Sequence, residues 1–540
     1  MRHVDTQRLV ACPLSRDVGM DLGAATPGGD PSGQQLVSAA SRDHPGGAVL
    51  LGSQAAHSSD GDSSCATKDA VDLCRHLCTL GFQAGAFSDV TVSAFGRHWP
   101  LHRVVLARSP YFRRLFEGGW KETRDPVVSL PLDDAYATAG GLDAALSWLY
   151  GSGTLALDTG NVCSVLACAT YLQLDALGEA CAAFITEHLT SDTFRGFFAF
   201  AESSNYGLLG DRVRAACWCV LCRCAAKELA QVLPTLPLQT LITLFTSAEL
   251  WTPTEHNRFL LAFDTFSRRW EHTTQWAAPG GGAEEGADAA MQAVFGRGIV
   301  YATLSFQALS AARARLTAVG APVSILAAVS DGLWQQTVLR QQVTDASAGA
   351  PASRSNGGGE SGDEDAGSRV TLRFGTEFAD HFAEMDDGQA RHGAEVFFAG
   401  SLWKVSAQVF TAAAPGGGAQ QEGAVMGGSP RSSQAAGTSK TLGLFLHRRR
   451  ADEAVPYNAA VGAGHMYVDC RDRVAARYQI VLGTPNSLLV LGTLAPENAI
   501  LLPKAPKGWG WRSVGSVEDV ATGHPLRVSV AVQLQLPGED

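Results

Sequence analysis

The sequence has no surplus of positive charge: 42 Lys and Arg stand against 53 Asp and Glu, a net charge of -11 over 540 residues. Such a chain offers no global positive field to phosphate backbones, so nucleic acid is not expected as a partner. Long apolar runs are also missing. Stretches such as Ala48 to Leu51 and Ile325 to Val329 fall far short of the ~20 residues a membrane span needs, and a soluble protein without membrane contact is expected. No GxGxxG, Walker, HExxH or GxSxG motif stands in a fitting context, which removes the commonest dinucleotide, nucleoside triphosphate, zinc protease and serine hydrolase chemistries. The Gly-rich GGGAEEG and GGGESGD are low-complexity loops, since no strand leads into them and no helix with Lys-Ser or Lys-Thr leads out. The 12 Cys are scattered or crowded into apolar helical sequence rather than paired at regular spacing, and no cleavable signal peptide opens the chain. A reducing compartment, cytoplasmic or nuclear, is therefore expected.

The chain is too long for one core, because single cores stop growing near ~250 to 300 residues. Residues 1–66 are rich in Gly, Ser, Asp and Ala with no sustained period, which predicts a disordered tail. From Val71 onward, Leu73, Leu77 and Leu80 fall on one helical face. Val90, Val92 and Ala94 then alternate with Thr91, Ser93 and Phe95, Gly96 supplies a turn, and a helical period starts after Arg103. Helical spacing in 142–150, 161–172 and 177–189 completes an α/β domain over 67–189. Residues 190–345 read as an all-α region of stacked helical hairpins, with an apolar stripe at Phe194, Phe197, Phe198 and Ala201 and breaks at Asn205, Pro234, Pro237 and Pro253. Residues 346–368 form an acidic, Gly/Ser-rich linker by composition. Over 369–540 the period changes to two, in segments such as VTLRF, LWKVSAQVF and LRVSVAVQLQL, which predicts an antiparallel β-sandwich with a low-complexity surface insertion at 411–440.

The run SDVTVSAFGRHWPLHRVVLARSPYFRRLF, from Ser88 to Phe116, resembles the opening of a BTB (POZ) domain, a protein-binding module. The matching positions are Asp89, His102, Arg103, Leu106, Ser109, Tyr111, Phe112 and Phe116. The phrases ALSWLYGSGTLAL, NVCSVLACATYLQL and ALGEACAAFI extend the likeness over about a hundred residues. LPLQTLITLFTSAELWTPTEHNRFLLAFDTFSRRW resembles a BACK domain, with Leu236, Leu241, Leu244 and Leu250 as packed leucines and Glu255 as a helix-opening acid. The stretch from Pro279 to Ala290 departs from that pattern and reads as an inserted loop. The C-terminal strands are similar to a MATH (TRAF-like) sandwich on Gly400, Trp403, Leu444, Leu446, Trp509, Gly510 and Trp511. MATH domains usually carry Trp-Gly-Phe where this chain has Trp-Gly-Trp, and they usually precede the BTB domain.

These resemblances imply a substrate-recruiting adaptor of a cullin-RING E3 ubiquitin ligase of the cullin-3 type, itself not an enzyme. The BTB domain would form a homodimer and hold the cullin scaffold, and the sandwich would bind client proteins. The alternative is a BTB-dimerised interaction scaffold without ligase coupling. Asp89 and Arg103 are implied as the charged pocket of the dimer interface, although the residues alone fit an ordinary strand-start Asp and a solvated Arg equally well. Trp120, Lys121 and Glu122 resemble the hydrophobic-any-Glu motif that grips a cullin, so Trp120 and Glu122 are the candidate cullin contacts; Trp120 folded back as a lid is the alternative. Trp509 and Trp511 share one side of a strand and are implied as the walls of a peptide groove with Lys504, Lys507 and Arg512 at its rim, the alternative being sandwich core.

No cofactor, metal or catalytic residue is expected. Cys217, Cys219, Cys222 and Cys224 point to several faces of a helix, unlike the two separated ligand pairs of a structural zinc site, and read as core thiols. Cys74, His76 and Cys78 read as packing and surface residues. His102 lacks an accompanying nucleophile motif, and the spacing of His447, Asp469 and Cys470 fits no catalytic motif. The basic run from His447 to Arg450 reads as a solvated hairpin end.

Overall fold

The computed structural model describes residues 71–119, 125–151, 156–203, 206–270, 286–348, 370–411, 439–450, 467–484, 487–504, 507–521 and 525–536. The expected tail 1–66, the linker 346–368 beyond residue 348, and all but the ends of the insertion 411–440 lie outside these residues. The chain divides into two compact units, one holding residues 11–218 and the other 219–540, so the helical region expected over 190–345 contributes to both.

In the first unit, β1 (Val90–Ala94) pairs antiparallel with β2 (Arg97–Leu101) and parallel with β3 (Val127–Ser129). The two-residue hairpin between β1 and β2 places Phe95 at φ 50° and Gly96 at φ 69°. Two positive φ values in succession match the right-handed twist of the flanking strands, and glycine supplies the second at no steric cost. Ser109 caps helix Pro110–Glu117 by accepting from Phe112 N at 3.3 Å, while its hydroxyl donates to the Leu172 carbonyl at 2.6 Å. Thr138 caps helix Ala139–Leu149 in the same way. That helix approaches Val162–Tyr171 so closely that a Cβ on Gly141 would lie 2.6 Å from the Ser164 carbonyl oxygen. Leu142, Leu146, Val165, Leu166, Leu177 and Cys181, on these helices and on Asp175–Glu187, form an apolar core without solvent exposure. Helix Phe194–Ser203 follows, with Phe194, Phe197, Phe198 and Ala201 buried as the stripe predicts.

The second unit carries helices Leu238–Thr246, Glu255–Arg269, Ala287–Met291, Phe306–Ala318 and Val323–Ser347, then two antiparallel sheets. The strands are β4 (Thr371–Phe378), β5 (Ala390–His392), β6 (Val396–Phe398), β7 (Ser401–Thr411), β8 (Lys440–Arg450), β9 (Arg473–Gly483), β10 (Leu488–Thr493), β11 (Ile500–Pro503), β12 (Trp509–Ser516) and β13 (Leu526–Leu534). One sheet runs β10-β9-β13-β4 with β11 also on β9; the other runs β12-β8-β7-β5 with β6 also on β7. Alternate residues of both sheets, among them Phe374, Trp403, Val405, Leu444, Leu446, Ile480 and Val530, meet in one core. Leu339 and Val343 of helix Val323–Ser347 enter the same core, so this helix and the sheets pack as one body. Among the described residues no helix is long and apolar enough to cross a membrane.

Candidate protein-interaction site

In the first unit the segment before β1 is fixed from below. His102 donates its main-chain N–H to the Tyr150 hydroxyl at 2.8 Å, and its ring Nε2 lies 2.8 Å from the Ala86 carbonyl. A carbonyl only accepts, so Nε2 carries the proton and the bare Nδ1 accepts from the Tyr150 hydroxyl at 3.0 Å. Burial pushes the Tyr150 pKa up to about 12, which keeps that proton in place. His102 is thus a structural residue. Asp89 is exposed and its Oδ1 accepts the Arg103 main-chain N–H at 2.8 Å, where helix Arg103–Leu106 begins. The Arg103 guanidinium stacks 4.7 Å from the Phe116 ring centre and donates to the Asp125 carbonyl. Beside this frame stand Val71, Leu73, Leu80 and Phe87, all exposed; Phe87 is 94% exposed at φ 61°. The amphipathic period before β1 announced Leu73 and Leu80, but no sequence signal marked Phe87.

In the second unit the strand pairing decides which way the two candidate indoles point. Trp509 pairs with Leu446 and Trp511 with Leu444, and both leucines are in the shared core. Trp511 packs edge-on against Tyr478 at 5.7 Å, and Trp509, at the strand end, is 44% exposed. The two tryptophans share a side, and it is the inner one. The outer side presents Phe445, His447, Ser406, Phe410 and Arg512. Phe410 and Phe445 meet at 6.0 Å, and the Arg512 guanidinium lies 4.8 Å above Phe410. His447 Nε2 is 2.7 Å from Ser406 Oγ, and its ring is 5.6 Å from that of His392. Alternation along β8 contains this face in principle, but only the register across strands assembles it.

His447, Asp469 and Cys470 are not brought together. Asp469 is fully buried, ion-paired to Arg448 at 3.4 Å and to Arg471 at 2.8 Å, whereas His447 lies on the outer face and Cys470 is exposed. Cys217, Cys219 and Cys222 are buried; burial pushes the Cys219 thiol up to about 12, and a thiol that stays protonated is a poor metal ligand. Among the described residues no group of three or more His, Cys, Asp or Glu is placed to hold a metal ion.

Comparison with known proteins decides the identity of the first unit's α/β core: the BTB/POZ domain family matches residues 81–189. Residues 81–189 are a BTB/POZ domain. Protein germ cell-less of Drosophila melanogaster is 29% identical over 151 residues, covering 28% of this chain and 26% of its own length. Germ cell-less protein-like 1 of Homo sapiens is 33% identical over 136 residues, 25% of each chain. Kelch-like protein 24a of Danio rerio is 34% identical over 129 residues, covering 24% of this chain and 21% of its own. The likeness thus spans about a quarter of these relatives' length.

The BTB/POZ domain therefore carries Asp89 and Arg103 together with the exposed Phe87, and Leu80 lies just before it. Trp120 and Glu122, the candidate cullin contacts, belong to the same domain and lie outside the described residues.

Proposed function

We propose that this chain is a substrate-recruiting adaptor of a cullin-RING ubiquitin ligase, in which the BTB/POZ domain dimerises and holds the cullin while the C-terminal sheets, a MATH-like sandwich, select the client. The observation that carries this reading is a BTB/POZ domain on one unit of a chain whose second unit has its own core and its own sheet faces. A second copy of the domain would cover Val71, Leu73, Leu80 and Phe87, side chains that water meets in the single chain. Asp89 and Arg103 would be enclosed by the same contact, and the helices between would act as a BACK-like spacer. The protein transfers nothing itself. Its contribution is effective concentration, since a dimer holding the client beside the ligase makes ubiquitin transfer nearly intramolecular.

The test is the affinity of the full chain for a cullin N-terminal domain, wild type beside Trp120→Ala, with molar mass measured in the same run. The expected result is a dimer that binds, and a loss of ~2 kcal/mol, roughly thirtyfold, in the variant. A dimer that binds no cullin would instead support the interaction scaffold without ligase coupling.

A further inference from the structure

The chain carries its positive charge almost without amines. Of its 42 Lys and Arg, seven are lysines, although lysine is ordinarily among the commonest residues of a soluble protein. Within residues 81–189, the BTB/POZ domain, the one lysine in the sequence is Lys121. The two cations are equal in charge and unequal in chemistry. A lysine can give up a proton and attack a carbonyl carbon, whereas a guanidinium stays protonated and does not. Arginine in place of lysine therefore keeps the ion pairs of a surface and removes its acceptors for acyl transfer.

Five lysines are described, all in the second unit, and four of their amines are held. Lys440 Nζ donates to the carbonyls of Ala383 and Met385, each at 2.8 Å. Lys227 Nζ lies 2.8 Å from Glu377 and 5.3 Å from the Trp251 ring centre. Lys404, 25% exposed, reaches Glu395 at 3.3 Å. Lys504 reaches Asp472 at 3.4 Å, but both side chains stand in water, so this pair is the loosest of the four. Lys507 is exposed, with no hydrogen bond or ion pair among the described residues. Its neighbour Gly508 packs so tightly that a Cβ there would lie 2.5 Å from the His447 ring, which anchors the main chain beneath an amine that water surrounds.

We propose that this chain is a poor acceptor of the acyl transfer it promotes, and that Lys507 is the competent acceptor of its second unit. The inference rests on the adaptor reading for its reagent, the C-terminal thioester of ubiquitin on a carrier enzyme. A dimer that holds such a thioester close to a client holds it equally close to its own amines, and a chain nearly without lysines escapes that competition. In the step, the unprotonated Lys507 Nζ attacks the thioester carbonyl carbon. The C–N amide bond forms, the C–S bond breaks, and a nitrogen proton passes to the departing sulfur, which leaves as the carrier's thiol.

The experiment uses the full chain in two arms. In the first, a limiting amount of the N-hydroxysuccinimide ester of acetic acid stands in for the thioester, and acetylation of each lysine is followed by peptide mass spectrometry. Lys507 is expected to react about tenfold faster than Lys227, Lys404 or Lys440, which must first give up their partners, with Lys504 in between. Glu395→Gln is expected to bring Lys404 closer to Lys507. Equal rates at Lys507 and Lys440 would overturn the proposal. In the second arm the chain meets a cullin-RING ligase with ubiquitin and its activating and conjugating enzymes, and the ubiquitin remnant is mapped lysine by lysine. Within the second unit the remnant is expected on Lys507 and lost in Lys507→Arg; undiminished transfer to Lys404 or Lys440 in that variant would count against the assignment. Arg195→Lys and Arg313→Lys add an amine at an exposed position without changing charge, and each is expected to raise the ubiquitin carried by the chain, roughly doubling it. No gain from either would sink the idea that scarcity protects the chain. Selective acetylation of Lys507 in a chain without cullin affinity counts against the ligase reading alone, and ubiquitin spread evenly over the lysines of a cullin-bound chain counts against this inference alone.

Discussion

In the first unit, which contains the BTB/POZ domain, the buried polar side chains among the described residues are neutral, Ser109 and Thr186 among them. In the second unit they include Arg223, Glu255, Arg258, Arg448, Asp469, Arg477 and Arg527. The hydroxyls donate to main-chain carbonyls within an apolar core, Thr186 to Ala183 and Ser109 to Leu172. Some of the charges do something else: the Glu255–Arg373 and Glu228–Arg527 pairs tie the helical region to strands more than a hundred residues later. Glu255, on the first turn of its helix, accepts from Val300 N at 2.8 Å and from Arg373 Nε on β4 at 3.0 Å. Arg258, fully buried, donates to the carbonyls of Phe245, Ser247 and Leu250, gathering the C-terminal end of helix Leu238–Thr246 where main-chain oxygens lack helical partners. Burial pushes its pKa down to about 9, still high enough for it to stay charged at neutral pH.

Arg527 on β13 repeats the device. It forks onto Glu228 at 2.8 and 3.0 Å, reaches Glu377 at 3.1 Å, and lies 5.0 Å from the Trp251 ring centre, which Lys227 also approaches at 5.3 Å. These partners hold the Glu228 and Glu377 carboxyls below their ordinary range. An apolar contact tolerates a small slip between elements, whereas a forked guanidinium does not. The difference teaches that the second unit joins helical region to strand through buried charge geometry, whereas the first, among its described residues, buries no charged side chain and relies on its apolar core and neutral hydrogen bonds such as Ser109 to Leu172.

The sharpest break of that comparison is Glu255→Ala, which leaves buried Arg258 and half-buried Arg373 without their acid. The expected cost is ~3 to 5 kcal/mol in urea unfolding of the full chain. If the network sets pairing rather than stability, the double change Glu255→Leu with Arg373→Met recovers most of that loss; a double variant as weak as the single one would show that the charges themselves stabilise. Next in size is Leu166→Ala in the BTB/POZ domain, expected to cost ~3 kcal/mol as a cavity in an apolar core. It should do so at any ionic strength, and a salt-dependent loss would blur the distinction between the units.

The smallest effect is on pH. Burial, with Arg315 for His256 and Lys404 for His392, holds both imidazoles below their ordinary pKa of 6.5. Below about pH 6.5 the unfolded chain therefore binds more protons than the folded one, and stability falls as pH drops. Glu228 and Glu377 extend the loss further down, through the carboxylate range. Melting temperature between pH 7.5 and pH 4 checks this, and His256→Gln with His392→Gln should flatten its upper part.

How much of this was legible follows from the same contrast. The alternation of Val90 to Ala94, the stripe from Phe194 to Ala201 and the period of two after Val370 are repeated apolar signals, and each element lies where its period puts it. Buried charge gives no such signal, since Arg373 and Arg527 read as ordinary solvated positions on a strand. Glu255 was legible as an acid opening a helix, but its strand partner more than a hundred residues away was not. At the candidate site, alternation showed that Trp509 and Trp511 share a side. Only the pairing with Leu446 and Leu444 shows which side, because a one-residue change of register would turn both outward.

One seam carries a practical consequence. Residues 251–254 run beside the outer edge of β4: Thr254 bridges Phe374, Gly375 N donates to the Pro253 carbonyl at 3.3 Å, and the Trp251 indole donates to the Thr376 carbonyl at 3.1 Å. A Cβ on Gly375 would stand 2.7 Å from the Thr252 carbonyl oxygen, so the strand is shaped to receive this segment. A fragment cut at the acidic linker to isolate the sheets would bare that edge and deprive Arg373 of Glu255 and Arg527 of Glu228. Its fate in a test tube would be sticky, self-pairing material, so for anyone expressing the second unit the sensible place to start the chain is upstream of Cys219.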